Sequence, residues 1–254
     1  MQVIKLFVKE KSGVAAVERD RLFLQAGLGI ADDCHARVGS PRQVLMVDWP
    51  TLARFGLAPG ALGENLLIDQ SLSELKSGKI VRIGGALIRP TFLCEPCAQL
   101  NRVRPGLAAQ MKGQRGWLGM VVQGGAIAPG DAITPTEFVL PAMADLVRTR
   151  FHDFVARIPG GRVVSTANLM LALGTARAYY RAIPTFLRHA PVDSPVHRVV
   201  ARDGRLFSRY LPDQAARLQA EGISLQAEQV PEIYYWPADC FHPLEMERSH
   251  KPVK

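Results

Sequence analysis

The feature that most constrains this chain is a change of hydrophobic period near Pro135 and Pro141. Before it, apolar residues come in short alternating runs cut by glycine; after it, they recur every three or four residues. The first pattern places side chains on the two faces of strands, and the second lines one face of a helix. Two domains are therefore expected, with a linker within Ala132 to Ala142. The division reads as residues 1–137, residues 141–230 and an aromatic tail over 231–254.

In the first part, Val3 to Val8, Arg21 to Leu24, Gln43 to Val47, Asn65 to Ile68, Ile80 to Ile83, Ala86 to Arg89 and Gly119 to Gln123 read as strands. Gly60, Gly63, Gly78, Gly84-Gly85, Gly124-Gly125 and Gly130-Asp131 punctuate them, which predicts a mostly β, barrel-like domain. Short helices are expected over Pro50 to Phe55 and Pro105 to Met111, each starting near a proline.

The second part reads as a smaller α-rich, helix-turn-helix or winged-helix-like domain, making the chain α+β. Val147, Phe151, Phe154, Val155 and Ile158 form a helical stripe that ends at Pro159-Gly160-Gly161. Ser165 or Thr166 can cap a helix over Asn168 to Leu173, which Gly174 stops, and a third helix is expected over Ala176 to Leu187, interrupted by Pro184. Asp203-Gly204 between Val199-Val200 and Leu206-Phe207 predicts a hairpin, and Asp213 to Glu221 a last helix ending at Gly222.

With 48% hydrophobic residues among 254, the chain can fill two modest cores. Four irregularly spaced cysteines do not form a disulfide framework, which fits a reducing, cytoplasmic setting. No leader precedes Met1-Gln2-Val3-Ile4-Lys5 and no apolar run has membrane-spanning length, so no membrane partner is expected. The net charge of +8 is unevenly placed: Arg148 to Arg217 holds twelve arginines against four aspartates, with no lysine between Lys112 and Lys251. Arginine suits bidentate phosphate and base-edge contacts, which points to DNA; a coding bias toward arginine would leave the same trace. The aromatic tail from Tyr234 to His242 could stack on bases or pack on its own domain, and Cys240 and His250 beside it form no recognisable site.

Leu93 to Arg102 carries Cys94-Glu95-Pro96-Cys97 beside Arg102 and Arg104. Pro96 restrains the turn, and a thiolate near those arginines would be a better nucleophile or soft-metal ligand than a buried thiol. The alternative is a pair of small buried hydrophobes.

Gly29-Ile30-Ala31-Asp32-Asp33-Cys34-His35-Ala36, Arg42-Gln43-Val44, Gly60 to Leu66, Pro96 to Leu100, Arg115-Gly116-Trp117, Gly124 to Ile127 and Gly130-Asp131 follow one another in an order that resembles the MOSC family, the C-terminal domain of molybdenum cofactor sulfurases. The resemblance implies a barrel-like fold, a cofactor of the molybdopterin type, and Cys97 as catalytic thiol and metal ligand or sulfur carrier. It implies cofactor contacts from Asp33, His35, Glu64, Asn65, Asn101 and Arg102, although Glu64-Asn65 could equally shape a turn and His35 could be structural. Asp32 departs from the glycine usual there, and Cys94 is additional. No desulfurase domain is contained in the chain, so sulfur or electrons would come from an external donor protein.

Ile158-Pro159-Gly160-Gly161-Arg162-Val163, Ala176-Arg177-Ala178, Pro195 to Val200, Asp203 to Leu206 and Glu221-Gly222-Ile223 resemble the DNA-binding domain of alkylguanine-DNA alkyltransferases. Where active members carry their cysteine, this chain has Val196, so the resemblance implies a protein that binds alkylated guanine without repairing it. Arg177, Val196, His197 and Arg198 are the DNA-contact candidates it implies; Thr166, Tyr180 and Arg181 depart from the family pattern. Two functions follow: a molybdenum-dependent oxidoreductase or sulfur transferase, acting on N-hydroxylated bases or similar small molecules, with a non-catalytic DNA-binding module; or a DNA-lesion sensor for which the MOSC-like part is a scaffold.

Overall fold

The strand Val44–Asp48 is buried at all five positions. Val44 and Met46 enter one apolar cluster while Leu45 and Val47 enter another, so the strand has apolar packing on both faces. The computed structural model describes residues 1–11 and 13–248, except for the side chains of Arg177 and Glu247; His250 lies outside the described residues. It divides into one unit of Met1–Ala144 with the segment from Pro243 onward, and a second unit of Asp145–His242.

In the first unit nine strands form one sheet in the order Glu247–Arg248, Ile133–Val139, Lys79–Ile83, Ala86–Leu93, Trp117–Gln123, Val44–Asp48, Leu66–Ile68, Val3–Val8 and Val17–Arg19. Val44–Asp48 pairs with Leu66–Ile68 in parallel, and the other neighbours are antiparallel. The two outermost strands do not pair with each other, so no closed barrel forms among the described strands. Gly125–Ile127, Leu22–Gln25 and Gly29–Ile30 make a second, three-stranded sheet.

The expected linker is instead a strand. Ile133–Val139 pairs with Lys79–Ile83, and Pro135 sits where the register breaks, a position that tolerates a residue with no N–H to donate. The unit boundary falls at Ala144, and the tail over 231–254 is not one piece. Arg248 pairs with Phe138 at the edge of the first sheet, whereas Trp236 and Phe241 bury their rings 5.6 and 5.3 Å from that of Phe154 in the second unit.

Helix Trp49–Phe55 shows how local chemistry sets its bounds. Asp48 accepts the Thr51 N–H at 2.7 Å, a proline occupies the first turn, and Gly56 ends it in the left-handed conformation. The helix expected over Pro105 to Met111 forms as Leu107–Gln110, and a separate short helix, Leu100–Val103, precedes it.

In the second unit the helix Val147–Val155 packs Phe151, Phe154 and Val155 against Leu169 and Leu173 of the helix Thr166–Leu173. Ser165 caps the latter and Gly174 closes it at φ 60°. The third expected helix is split: Arg177–Ala182 is a 3-10 turn and Ile183–Arg188 an α-helix, with Pro184 in its first turn where a missing N–H costs nothing. The Asp203-Gly204 turn forms, with Ala201 donating to the Arg205 carbonyl at 2.9 Å, but no hairpin ladder follows. Val199–Val200 pairs in parallel with Val164–Ser165 instead, and the Phe207 N–H goes to the Gln214 side chain.

Candidate functional site

Cys97 is half-buried in an irregular loop between the strand Ala86–Leu93 and the helix Leu100–Val103. Arg115 Nη1 lies 3.4 Å from its Sγ and also donates to the Glu95 carbonyl at 3.0 Å, while Nη2 donates to the Leu62 carbonyl at 3.1 Å. Burial alone would raise the Cys97 pKa, but the charge of Arg115 and the N–H groups of Gln99 and Leu100 outweigh it, leaving the thiol below its ordinary value. The result is a thiolate-favouring site with access to solvent.

The cation that does this is not one of the two the sequence suggested. Arg102 is exposed, and Arg104 donates to the Phe55 carbonyl at 2.7 Å and to Gln110 at 3.2 Å. Asn101, also exposed, accepts the Ala108 N–H at 3.1 Å and so joins the two short helices. Arg115 was visible in the sequence within Arg115-Gly116-Trp117, and the glycine explains its placement. Gly116 has φ +100°, a Cβ there would meet the Met46 carbonyl oxygen at 2.3 Å, and the Gly116 carbonyl accepts the Cys94 N–H at 2.9 Å.

Cys94 is 2% exposed, with Arg42 Nη2 at 3.8 Å from its sulfur; burial pushes its thiol above the ordinary value.

A second group surrounds Asp33. Its Oδ2 accepts the Lys9 N–H at 3.0 Å and Asn65 Nδ2 at 2.9 Å, and its Oδ1 faces the His35 N–H at 2.8 Å and His35 Nδ1 at 3.0 Å. Burial would raise the Asp33 pKa, but the hydrogen bonds with His35 and Lys9 bring it below the usual carboxylate value. Asn65 also accepts the Leu45 N–H at 2.9 Å and donates to the Phe7 carbonyl at 3.2 Å. Glu64 is fully buried and accepts the Gly60 and Leu62 N–H groups at 2.6 and 3.1 Å, and burial holds its carboxyl above the ordinary value.

Of the expected pocket residues, Asp33, Glu64 and Asn65 are therefore buried supports for the 60–65 loop and the Asp33 turn. The His35 side chain, 55% exposed, is the one of this group that reaches solvent. Asp32 adopts φ 63°, so the left-handed turn that glycine would favour is kept despite the side chain. Among the described residues, Asp33, Cys34 and His35 also bring three metal-type ligand atoms within 4.8 Å of one another.

In the second unit Val196 is 4% exposed within the core. His197 Nε2 and Glu221 Oε1 are 2.7 Å apart, and Arg198 reaches Glu221 through Nε at 3.0 Å and Nη2 at 2.8 Å while Nη1 donates to the Ile158 carbonyl. Although burial opposes it, the Arg198 and His197 hydrogen bonds and the Gly161 N–H bring the Glu221 pKa down to about 2. Burial lowers that of His197, whose Nδ1 has no hydrogen-bond partner. Val196 and His197 are thus buried, and half-buried Arg198 is engaged with Glu221 and the Ile158 carbonyl. Arg177 opens the 3-10 turn, and its side chain is not among those described. Arg181, Arg188, Arg202, Arg205 and Arg209 are exposed, with Arg188 and Arg209 at 5.2 and 6.0 Å from the Tyr210 ring.

Residues 33–134 match the family model of the MOSC domain, and residues 147–223 that of the DNA-binding domain of 6-O-methylguanine DNA methyltransferase. The chain joins a MOSC domain to an alkyltransferase-type DNA-binding domain. The solved structures similar to the MOSC domain include YuaD from Bacillus subtilis, at 22% identity over 52% of this chain and 93% of that one with a TM-score of 0.46. YiiM from Escherichia coli is also similar, at 21% identity over 72% and 90% with a TM-score of 0.43. Atl1 from S. pombe, solved with damaged DNA containing O6-carboxymethylguanine, is 24% identical over 36% of this chain and 94% of that one, with a TM-score of 0.32. No curated protein matches the chain. Among the described residues of both domains, no helix is long and apolar enough to cross a membrane.

Proposed function

We propose that the MOSC domain handles molybdenum or sulfur through the Cys97 thiolate, and that the second domain binds DNA without alkyl transfer. The observation that carries the first part is Arg115 held against Cys97 in a half-buried loop. A soft thiolate donor is the ligand that molybdenum or persulfide sulfur requires, so the donor present fits the cofactor that MOSC domains are associated with. The buried Arg115 Nε, which has no partner, and exposed Arg102 supply positive charge for an anionic cofactor. When bound, a molybdenum cofactor would supply two-electron or sulfur-transfer chemistry, for which N-hydroxylated bases are the substrates to try. Cys97 would ligate the metal, Arg115 favours its ionised form, and His35, oriented by Asp33 through Nδ1 and exposed to solvent, would serve as a proton carrier.

Metal analysis of protein produced with molybdate tests this reading. Molybdenum is expected in the intact protein and absent from Cys97→Ser; equal content in both, or none in either, overturns the molybdenum part and leaves sulfur handling, for which a persulfide on Cys97 by peptide mass mapping is the expected result and its absence overturns the reading.

For the second domain, valine at 196 has no group that can accept an alkyl substituent, and the exposed arginines suit phosphate contacts. Band shifts with duplexes carrying O6-alkylguanine are expected at lower protein concentration than with undamaged duplex, across a salt series. Equal affinity would leave only charge-driven binding.

A further inference from the structure

We propose that Cys94 and Cys97 act as a dithiol pair that exchanges with small disulfides and persulfides, Cys97 attacking and Cys94 resolving. This rests on the reading of Cys97 as the accessible working thiol, and is independent of whether molybdenum binds.

The two thiols differ in the way such a pair requires. Cys97 is half-buried and reaches solvent, whereas Cys94, at 2% exposure, lies in the apolar cluster with Phe92, Leu100 and Leu107, out of reach of a dissolved reagent. Each sulfur has its own guanidinium, Arg115 Nη1 at 3.4 Å from Cys97 and Arg42 Nη2 at 3.8 Å from Cys94. Arg115 also grips the Glu95 carbonyl between the two cysteines, while the Cys94 N–H is tied to the Gly116 carbonyl next to Arg115. The loop is thereby anchored at Glu95 and Cys97 by the Arg115 side chain and at Cys94 by the backbone of the residue after it. Cys94 has no part in the function proposed above, and the arginine beside it is an unusual neighbour for a thiol that only fills space.

The chemistry balances as two displacements. The Cys97 thiolate attacks one sulfur of a low-molecular-weight disulfide, forming a mixed disulfide and expelling one thiolate, which takes a proton from solvent. The Cys94 sulfur then attacks the Cys97 sulfur and the bond to the small thiol breaks, the Cys94 proton passing to the second thiolate as it leaves. Two protein thiols are oxidised and one small disulfide is reduced to two thiols. Where Cys97 carries a persulfide, the same attack expels hydrosulfide and leaves the same internal disulfide.

The test uses the full-length reduced protein with oxidised glutathione under anaerobic conditions, acid quenching, and mass mapping of the peptide that contains both cysteines. The wild type is expected to yield that peptide two hydrogens lighter, with no lasting adduct. Cys94→Ser, and Cys94→Ala as a second variant should the serine disturb folding, are expected to stop at glutathione on Cys97. Cys97→Ser is expected to lose both products. A wild type that accumulates the glutathione adduct as fully as Cys94→Ser overturns the pairing and leaves Cys97 as a reactive thiolate. No reaction at Cys97 overturns the pairing and the thiolate reading together.

Discussion

Arg115 Nη1 stands 3.4 Å from Cys97 Sγ while holding the Glu95 carbonyl at 3.0 Å, so one guanidinium both shapes the cysteine loop and charges its thiol. Arg115→Ala is expected to return the Cys97 thiol toward its ordinary pKa and to slow its alkylation by iodoacetamide at neutral pH roughly several-fold. Arg115→Lys keeps the charge but not the fork across the Glu95 and Leu62 carbonyls, and should fall between the two. Alkylation rates across pH, assigned to Cys97 by peptide mapping, check both.

Asn65 bridges the Leu45 N–H, the Phe7 carbonyl and Asp33 inside the first unit. Removing it leaves buried partners unpaired, and Asn65→Ala is expected to cost about 2–3 kcal/mol in urea unfolding. His35→Ala, at an exposed side chain, should change stability by no more than about 0.5 kcal/mol. A large effect of His35→Ala on catalysis or metal content with unchanged stability would then mark it as functional.

Acid is expected to loosen the second unit. Glu221 has its pKa brought down to about 2 in the folded chain, so its stabilising contribution is complete above the ordinary carboxylate value and is lost as pH falls from there toward 2. His197 acts in the same direction, because its depressed pKa means the unfolded chain takes up a proton the folded chain resists. The Glu221 contribution to this loss should be on the order of 2 kcal/mol by about pH 3. Glu221→Gln is expected to be less stable at neutral pH and to show a flatter pH dependence in urea titrations of the isolated or intact domain pair.

Val196→Cys places a thiol beside His197, whose Nδ1 has no partner and whose Nε2 faces Glu221. Because that carboxylate favours the tautomer with its proton on Nε2, the free Nδ1 lone pair can act as a base. The variant thiol is expected to ionise at lower pH than the same variant carrying His197→Gln, read from its ultraviolet thiolate absorbance across pH because position 196 is too buried for a dissolved alkylating reagent. Equal titration in the two variants would show that the dyad does not act on a thiol at this position.

Much of the local structure was legible along the chain. Val3 to Val8 was read to the residue, and Ser165 with Gly174 bounded its helix through chemistry confined to a few neighbours. Where the reading failed, distant partners decided. Pro135 argued for a linker, yet Ile133–Val139 is a strand because Lys79–Ile83 pairs with it on either side of a register break. Val199–Val200 lost its expected hairpin because Val164–Ser165 lies alongside.

By itself, the sequence determined the two domain types, the valine at position 196 and the Cys94 and Cys97 pair, since each of these depends on residue identity and order. Only the tertiary structure decided which cation serves Cys97, because Arg102 and Arg104 are close along the chain while Arg115 reaches the sulfur across a turn that Gly116 alone permits. It also showed that Glu64, Asn65 and Arg198 are engaged in internal hydrogen bonds: a polar side chain surrounded by backbone N–H and carbonyl groups must satisfy those first, and nothing in its immediate sequence says that they are there.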